Sequence, residues 1–470
     1  MWLEVKMKKF FLFNTLGKRK QEFKPIKKGE VSMYSCGPTV YNFLHIGNLR
    51  AYTFADVLKR VLIYNGYKVK HVMNITDIGH IVADADIGED KMVNALMREK
   101  KPMTLAAMKE VANTYYEKSR EDMQKMNILP ADDYPFASEH IKDDIAIIEA
   151  LLKKGTAYKT ASGIYFDTKK FPNYGVLGGA IADNGHSRIG IVGEKRHPED
   201  FVLWKPADET GLGYDSPFGK GFPGWHIECS AMSMKYLGVS FDIHTGGIDL
   251  IPVHHNNEIA QSESYTGKQF VRYWLHNAFI TIGDDEKMAK SGENFITLHT
   301  LGENGIHSLA YRYWLLTARY STRMDYSLEA ISAAQVAYER LHECFRKLGD
   351  EIGVINSSYQ KKFLEAINDD LDTPKALALV WELVKDVKIS DEDKKATFLD
   401  FDRVLGLMLG HVTKEKVMVT GEVQKLLDLR QKARVIKDWT KADEFRKEIE
   451  KHGFAVKDGN DGTQTLTKTQ

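Results

Sequence analysis

Residues 36–50 read CGPTVYNFLHIGNLR, and their reading decides the fold. The run before them, Glu30-Val31-Ser32-Met33-Tyr34-Ser35, favours a strand. The residues after them predict an amphipathic helix over 49–65, with Ala51, Phe54, Ala55, Leu58 and Leu62 at helical spacing. Gly66 stands where a glycine ends a helix, and Val69, His71 and Met73 then alternate as a second strand. Strand, turn, helix and strand make a βαβ unit, so the fold class is α/β. In open α/β sheets, ligands bind at the first turn of such a unit, beside the helix N-terminus.

The content of that turn points to a phosphate-bearing ligand. Gly47 lets a ring or phosphate approach the backbone, and His45 can donate a hydrogen bond to a phosphate oxygen. The turn is neither GxGxxG nor GxxxxGK[ST], and a tripeptide such as HIG also recurs as an ordinary structural histidine. A second element lies far away, Lys287-Met288-Ala289-Lys290-Ser291-Gly292, after the extended run Ala278-Phe279-Ile280-Thr281-Ile282. Two lysines three residues apart in a loop suit a triphosphate whose charge rises during adenylyl transfer. Together the pair resembles the HIGH and KMSKS motifs of the class I aminoacyl-tRNA synthetases. Asn48 stands for the second His and can still donate through its amide. Ala289 stands for the first Ser and leaves both lysines in place.

Composition agrees with a soluble multidomain protein. The chain has 470 residues, 43% hydrophobic and 28% charged, with 65 basic and 65 acidic residues, so net charge does not advertise a nucleic-acid partner. A tRNA binder of zero net charge has to segregate its positive charge onto one face. Three cysteines are too few for a disulfide framework and suit a reducing, cytoplasmic compartment. No apolar run is long enough to span a membrane, and the start lacks a signal-peptide cleavage pattern.

The pattern divides the chain. Residues 1–327 read as a nucleotide-binding catalytic domain. Residues 90–200, largely helical, read as an insertion in it, with Thr104 capping one long helix and another over 138–154. The α/β pattern is expected to resume at Phe201-Val202-Leu203-Trp204-Lys205, and residues 281–327 carry the lysine loop. Helices are expected from Trp225 to about Leu237, from His254 to about Tyr265 and over 305–317. Residues 328–411 read as a helical bundle, with Thr373 as N-cap and Pro374 at the first helical position. Cys344 lies on an apolar stripe there and reads as core. Residues 412–470 form a small C-terminal domain of two charged helices and a Gly-rich tail.

A metal constellation stands beside the nucleotide turn. Cys36 ends the first strand, and Cys229 lies in Gly224-Trp225-His226-Ile227-Glu228-Cys229-Ser230. His254 and Glu258 are i and i+4 on one helix face. His255 is as good a ligand type as His254, but only His254 has an acid four residues on.

Here the resemblance narrows. CGPTVY, HIGN, NITDI, FVLWK, PGWHIECSAM, FDIHTGG and HHNNEIAQS, in this order, resemble the cysteinyl-tRNA synthetase family over nearly the whole chain. The resemblance implies a Rossmann-type catalytic domain with a connective insertion, a helical bundle and a C-terminal anticodon-binding domain. It implies one Zn2+ per chain on Cys36, Cys229, His254 and Glu258, and an amino-acid pocket lined by Thr76, Trp225 and His244. ATP would bind at His45, Gly47, Asn48, Lys287 and Lys290, with Mg2+ as its counter-ion. Of these, His45, Asn48, Lys287 and Lys290 would carry catalysis. L-cysteine would be activated to cysteinyl-adenylate and passed to the 3′-terminal adenosine of tRNA(Cys) by a monomeric enzyme. Gly79-His80 stands where many members carry Asp-Asp. Arg434, Asp443 and Asp458 are the candidates for reading the GCA anticodon, with Lys432, Lys437, Lys441 and Arg446 available to phosphates. Two other readings share these motifs: a ligase of the same fold joining cysteine to an amino sugar, and a non-catalytic RNA-binding paralogue.

Overall fold

The βαβ unit forms around residues 36–50: β1 (Glu30–Ser35), α1 (Ile46–Tyr64) and β2 (Lys68–Met73). The computed structural model describes residues 9–78, 91–178, 194–282, 286–287, 295–411, 421–458 and 464–468. Gly66 follows the C-cap of α1 with φ +87, a conformation that costs glycine little. The sheet is completed by β3 (Phe241–Gly247), which follows α2 (Trp225–Leu237), and by β4 (Val271–Asn277), which follows α3 (Asn256–Thr266). All four strands are parallel in the order β4-β3-β1-β2. Tyr34, Phe241, Phe270 and Trp274 fill the core at its face. The strand order reverses about β1, so the C-terminal ends of β1 and β3 open on the crevice where this architecture places ligands.

Helix α1 is more than amphipathic. Fourteen of its nineteen residues are buried, among them Arg50, Asp56, Lys59 and Arg60. Asp56 is fully buried between Arg60 at 2.8 Å and Arg312 at 2.6 Å. Arg312 also donates to the carbonyls of Leu405 and Met126, so one guanidinium joins α1 to the insertion and to the helical bundle. An unpaired buried charge would be costly, and this network satisfies it.

The insertion corrects one expectation. The strand Phe201–Pro206 does not resume the parallel sheet. It pairs antiparallel with Gly163–Phe166 and Gly221–Pro223, in a four-stranded sheet that begins at Ala157–Thr160. Its run of four apolar residues, Phe201 to Trp204, reads like a covered parallel strand, and sequence alone does not say which sheet it joins. The helices Leu105–Lys125, capped by Thr104, and Ile141–Lys154 form as read.

The bundle is four helices, Leu328–Lys347, Ser357–Ile367, Thr373–Lys385 and Asp391–Leu405. Asp372, not Thr373, is the N-cap of the third; its carboxylate accepts from Lys375 N at 3.2 Å, which puts Pro374 at the second helical position. The bundle belongs to the same compact unit as the catalytic sheet, Met1–Leu409, with Gly410–Gln470 as the second unit. A seam closes the first unit. Phe11 N donates to Asn368 O, Asp370 N donates to Phe11 O, and Phe13 N donates to Asp370 Oδ1. Asp370 and Leu371 hold left-handed backbones, φ +59 and +56.

The second unit packs helices Gly421–Val435 and Trp439–Lys451 on the hairpin Phe454–Asp458 and Gln464–Lys468, around Val423, Ile449, Phe454 and Val456.

Candidate active site

A cavity of about 850 Å³ opens at the C-terminal end of the parallel sheet. Its wall includes Cys36, Thr76, Trp225, Cys229 and His254 together with His45, Gly47 and Asn48.

The head of α1 is built by reciprocal capping. His45 is the N-cap; its Nδ1 accepts from Asn48 N, and Asn48 Oδ1 accepts from His45 N, each at 3.2 Å. An Nδ1 that accepts leaves the proton of the neutral ring on Nε2, a donor. The Asn48 oxygen is engaged, so its Nδ2 group is its donor. A Cβ at Gly47 would lie 2.9 Å from the His45 ring, so only glycine lets the ring fold over the first turn. Gly37 is tighter still: a Cβ there would stand 1.8 Å from Asn74 O.

The metal candidates converge. One ligand atom from each of Cys36, Cys229, His254 and Glu258 falls in a group whose members all lie within 4.8 Å of one another. Tetrahedral zinc with bonds of about 2.0–2.3 Å sets its ligand atoms about 3.3–3.8 Å apart, so the set fits with small adjustments. A single π turn, Ile251–His255, leads into α3 and brings both histidines onto the sheet. His254 Nε2 faces Glu258 Oε1 at 3.0 Å, and its Nδ1 meets His226 Nδ1 at 2.9 Å. His255 Nε2 stands 3.5 Å from Cys36 Sγ and 3.9 Å from Glu258 Oε1. Cys36, His244, His255 and Glu258 therefore form a second group sharing two members with the first.

Electrostatics favour a cation. The hydrogen bond with Cys36, together with burial, pushes the Cys229 thiol well above its usual range. At Cys36 the bond with Cys229 acts downward, but burial and the Glu258 carboxylate leave the thiol raised. Burial acts to lower His254, yet Glu258 and Cys229 raise it to about 10. Burial acts to raise Glu258, and the His244 and His254 rings more than offset it. Buried sulfurs and a carboxylate that hold protons or borrow a histidine's charge are the donors a divalent ion would deprotonate and neutralise.

The remaining expected residues fall in different places. Thr76 lies on the cavity wall, 3.5 Å from the buried Glu228, and Trp225 lies over the His254 ring at 4.4 Å. His244 is fully buried behind Glu258, its Nε2 3.0 Å from Oε2 and its ring stacked on Trp274. The backbone of Lys287 pairs with Thr281 in a hairpin, while Lys290, Ala289, Gly79 and His80 lie outside the described residues. In the second unit Arg434 and Asp458 meet at 2.5 Å, and Asp443 lies on the helix Trp439–Lys451. Sequence reasoning missed Arg430, buried and bidentate on Asp458 at 2.8 and 2.9 Å. It also missed His226 and His276, the latter bonded to His255 Nδ1 at 2.7 Å. His226 lies inside PGWHIECSAM, whereas His276 has no local signal.

Three family models match the chain. Residues 22–336 match the catalytic domain of the tRNA synthetases class I (C), residues 362–411 the DALR domain, and residues 418–465 the cysteinyl-tRNA ligase anticodon binding domain. Among curated relatives, Cysteine--tRNA ligase 1 of Burkholderia lata is 44% identical over 457 residues, covering 96% of this chain and 95% of the relative. The Cysteine--tRNA ligase of Treponema denticola is 39% identical, covering 95% and 97%. Among solved structures, methionyl-tRNA synthetase of Mycobacterium tuberculosis bound by methionyl-adenylate aligns with a TM-score of 0.56 at 13% identity, over 86% of this chain and 94% of that one. A ternary complex of Agrobacterium radiobacter LeuRS with tRNA and LeuAMS aligns at 0.57 and 11%, over 83% and 85%. These two likenesses establish the fold. The anticodon-domain match leaves the amino-sugar ligase without support, since that enzyme has no anticodon to read.

Proposed function

We propose that this chain, which belongs to the cysteine–tRNA ligases among the class I aminoacyl-tRNA synthetases, selects its amino acid with zinc at Cys36, Cys229, His254 and Glu258 and activates it with ATP at the head of α1. The observation that carries this reading is that two sulfurs and an imidazole, Cys36, Cys229 and His254, line one cavity with the His45–Asn48 capping turn, and the buried Glu258 carboxylate lies within ligand distance of them. Bound there, zinc would supply a soft Lewis acid that takes the substrate sulfur as thiolate, a discrimination against serine that pocket shape alone does not reach.

The chain's own residues do the rest. His45 Nε2–H and the Asn48 Nδ2 group donate to phosphate oxygens at the positive end of α1, whose own Ile46 and Asn48 N–H groups are already bonded to Ile296 O and His45 Nδ1. Lys287 and Lys290 stabilise charge as the cysteine carboxylate attacks the α-phosphate and pyrophosphate leaves. Mg2+ accompanies ATP as its counter-ion. Trp225 and Thr76 flank the amino acid, and His244 holds Glu258 from behind. The ribose hydroxyl of the tRNA's terminal adenosine then attacks the activated carbonyl, and AMP departs. Arg434, Asp443 and Asp458 read the anticodon of tRNA(Cys). A carboxylate has about four lone-pair sites, so the Asp458 bonds to Arg430 and Arg434 leave it capacity to accept from cytosine's amino group. The enzyme is further read as a cytoplasmic monomer, which sedimentation and cell fractionation test.

The decisive experiment is ATP–pyrophosphate exchange with cysteine and with serine, followed by charging of tRNA(Cys). Exchange is expected with cysteine only. Lys290→Ala is expected to slow it by the ~3–4 kcal/mol typical of one lost transition-state contact, with little change in the cysteine KM. Near-normal exchange in that variant would remove the lysine from the mechanism.

A further inference from the structure

Arg50, the last residue of the opening stretch, lies one half-turn past Asn48 on α1 and is only 4% exposed. Its guanidinium donates through Nη1 to the carbonyl of Phe279, and through Nη2 to those of Tyr320, at 3.3 Å, and Thr322. Among the described residues, these acceptors are all backbone carbonyls. Burial without a carboxylate draws the group down from its usual range to about 10. A buried cation in such a position is expensive, and carbonyl dipoles are its compensation. Nothing in the packing of an apolar helix face calls for an arginine here; a leucine would bury more cheaply.

The three carbonyls belong to two strand entrances. Phe279 directly precedes Ile280–Ile282, and Thr322 comes just before Met324–Tyr326. These strands pair in parallel, Ile280 with Met324 and Ile282 with Tyr326. Their entrances already exchange backbone bonds: Ala278 N donates to Tyr320 O, and Met324 N donates to Phe279 O. Arg50 takes the second lone pair of both of those carbonyls. The first strand then turns into Glu286–Lys287, with Lys287 opposite Thr281. On the far side of the lysine segment the chain returns to α1, where Ile46 N donates to Ile296 O at 2.9 Å and the Phe295 ring meets His45 edge-on. The first two turns of α1 thus grip that segment before and after the lysines.

We propose that Arg50 is a positioning residue that registers the Lys287 hairpin against the phosphate-binding head of α1. The inference rests on the reading of Lys287 as an ATP residue. Arg50 touches neither ATP nor cysteine; it acts through the hairpin, and its loss is felt in the rate of adenylate formation.

The test is a double-mutant cycle on the full chain: R50Q, K287A and R50Q/K287A, with R50K as a milder variant, each checked for folding by thermal unfolding. Pyrophosphate exchange is measured over a range of cysteine and ATP concentrations. Relative to wild type, R50Q is expected to lower the exchange kcat 10- to 100-fold with the cysteine KM within 3-fold. R50K, which keeps the charge and some of the carbonyl contacts, is expected to recover part of the loss, and it carries the same cycle if R50Q does not fold. In the K287A background the Arg50 substitution is expected to add less than 3-fold, because the group it positions is already gone. A slow K287A whose defect multiplies in full with that of R50Q overturns the inference alone. Wild-type exchange by K287A overturns the reading beneath it, and the inference with it. A folded R50Q with unchanged kcat also overturns it.

Discussion

The backbone N–H of His45 donates to the amide oxygen of Asn48, while the backbone N–H of Asn48 donates to Nδ1 of His45. The residue that departs from the HIGH pattern is therefore half of the device that starts the helix. Its oxygen serves the fold, and its nitrogen is the group left to donate. Asn48→Asp keeps the acceptor and is expected to leave thermal stability within about 1 kcal/mol, a capping-sized effect. It exchanges a donor for a negative charge where we propose that phosphates bind, so the ATP KM is expected to rise and exchange to fall at least tenfold. Unfolding curves and exchange kinetics on the same preparation separate the two effects; unchanged ATP kinetics would free Asn48 of any phosphate role.

Metal content checks the donor set. Elemental analysis of the purified chain is expected to show one zinc per chain, falling to near zero in Cys229→Ala. Dialysis against a strong chelator is expected to abolish cysteine-dependent exchange, and added zinc to restore it. A Cys229→Ala protein that keeps its zinc shows that the ion sits elsewhere.

Truncation tests the division of labour between the two units. A chain ending at Leu409 keeps the whole first unit, including the bundle contacts of Arg312 and Asn368. It is expected to exchange pyrophosphate at close to the full-length rate and to charge tRNA(Cys) slower by orders of magnitude. A cut near Ser327 is expected to give an unstable protein, because it strips the bundle from α1. Equal charging by the chain ending at Leu409 and the full-length chain removes the anticodon role from the second unit.

The pairing of Asp458 with Arg430 has a pH signature. Its hydrogen bond to Arg430 is the main cause that lowers the Asp458 carboxyl from 3.8 to about 2. A depressed carboxylate adds stability above its unfolded pKa, and that contribution fades as pH falls toward the folded value. The stability difference between wild type and Asp458→Asn is therefore expected to be full at pH 6 and to shrink progressively below pH 4. A gap that stays constant through that window means the ion pair is not its source.

What could be read in the sequence was what chemistry compresses into short runs. Residues 36–50 carry a strand end, a capping turn and a candidate ligand in fifteen letters, and His254 and Glu258 announce themselves by helical spacing. Thr104 was legible as a cap because capping is local. What escaped was set by partners distant in sequence. The charges of α1 at Asp56 and Arg60 look like a solvated face, yet the insertion and the bundle cover them, and Arg50 is covered by the strand entrances at Phe279 and Thr322. The strand at Phe201 has the right letters for either sheet. The π turn at Ile251–His255, which decides how two adjacent histidines share one carboxylate, has no signature beyond its outcome. Asp372 displaced Thr373 as a cap by a single position, the scale at which helix ends are least determined.

The seam between the strand Phe11–Asn14 and the bundle has a consequence for how the protein is made. Phe11 and Phe13 leave the ribosome early, but Asp370, which accepts from Phe13 N, lies 357 positions later. At ~5–20 residues per second that is a wait of roughly 20–70 seconds. Through that interval the nascent hairpin of Phe11–Asn14 with Arg19–Glu22 presents one unpaired edge and the apolar side chains of Phe10, Leu12 and Phe23. Synthesis speed and chaperone access, rather than the strength of the finished seam, then govern how much of the chain arrives at the native state. Slowing translation within the 357-residue interval is expected to lower the soluble yield of this protein more than the same slowing placed after Asp370.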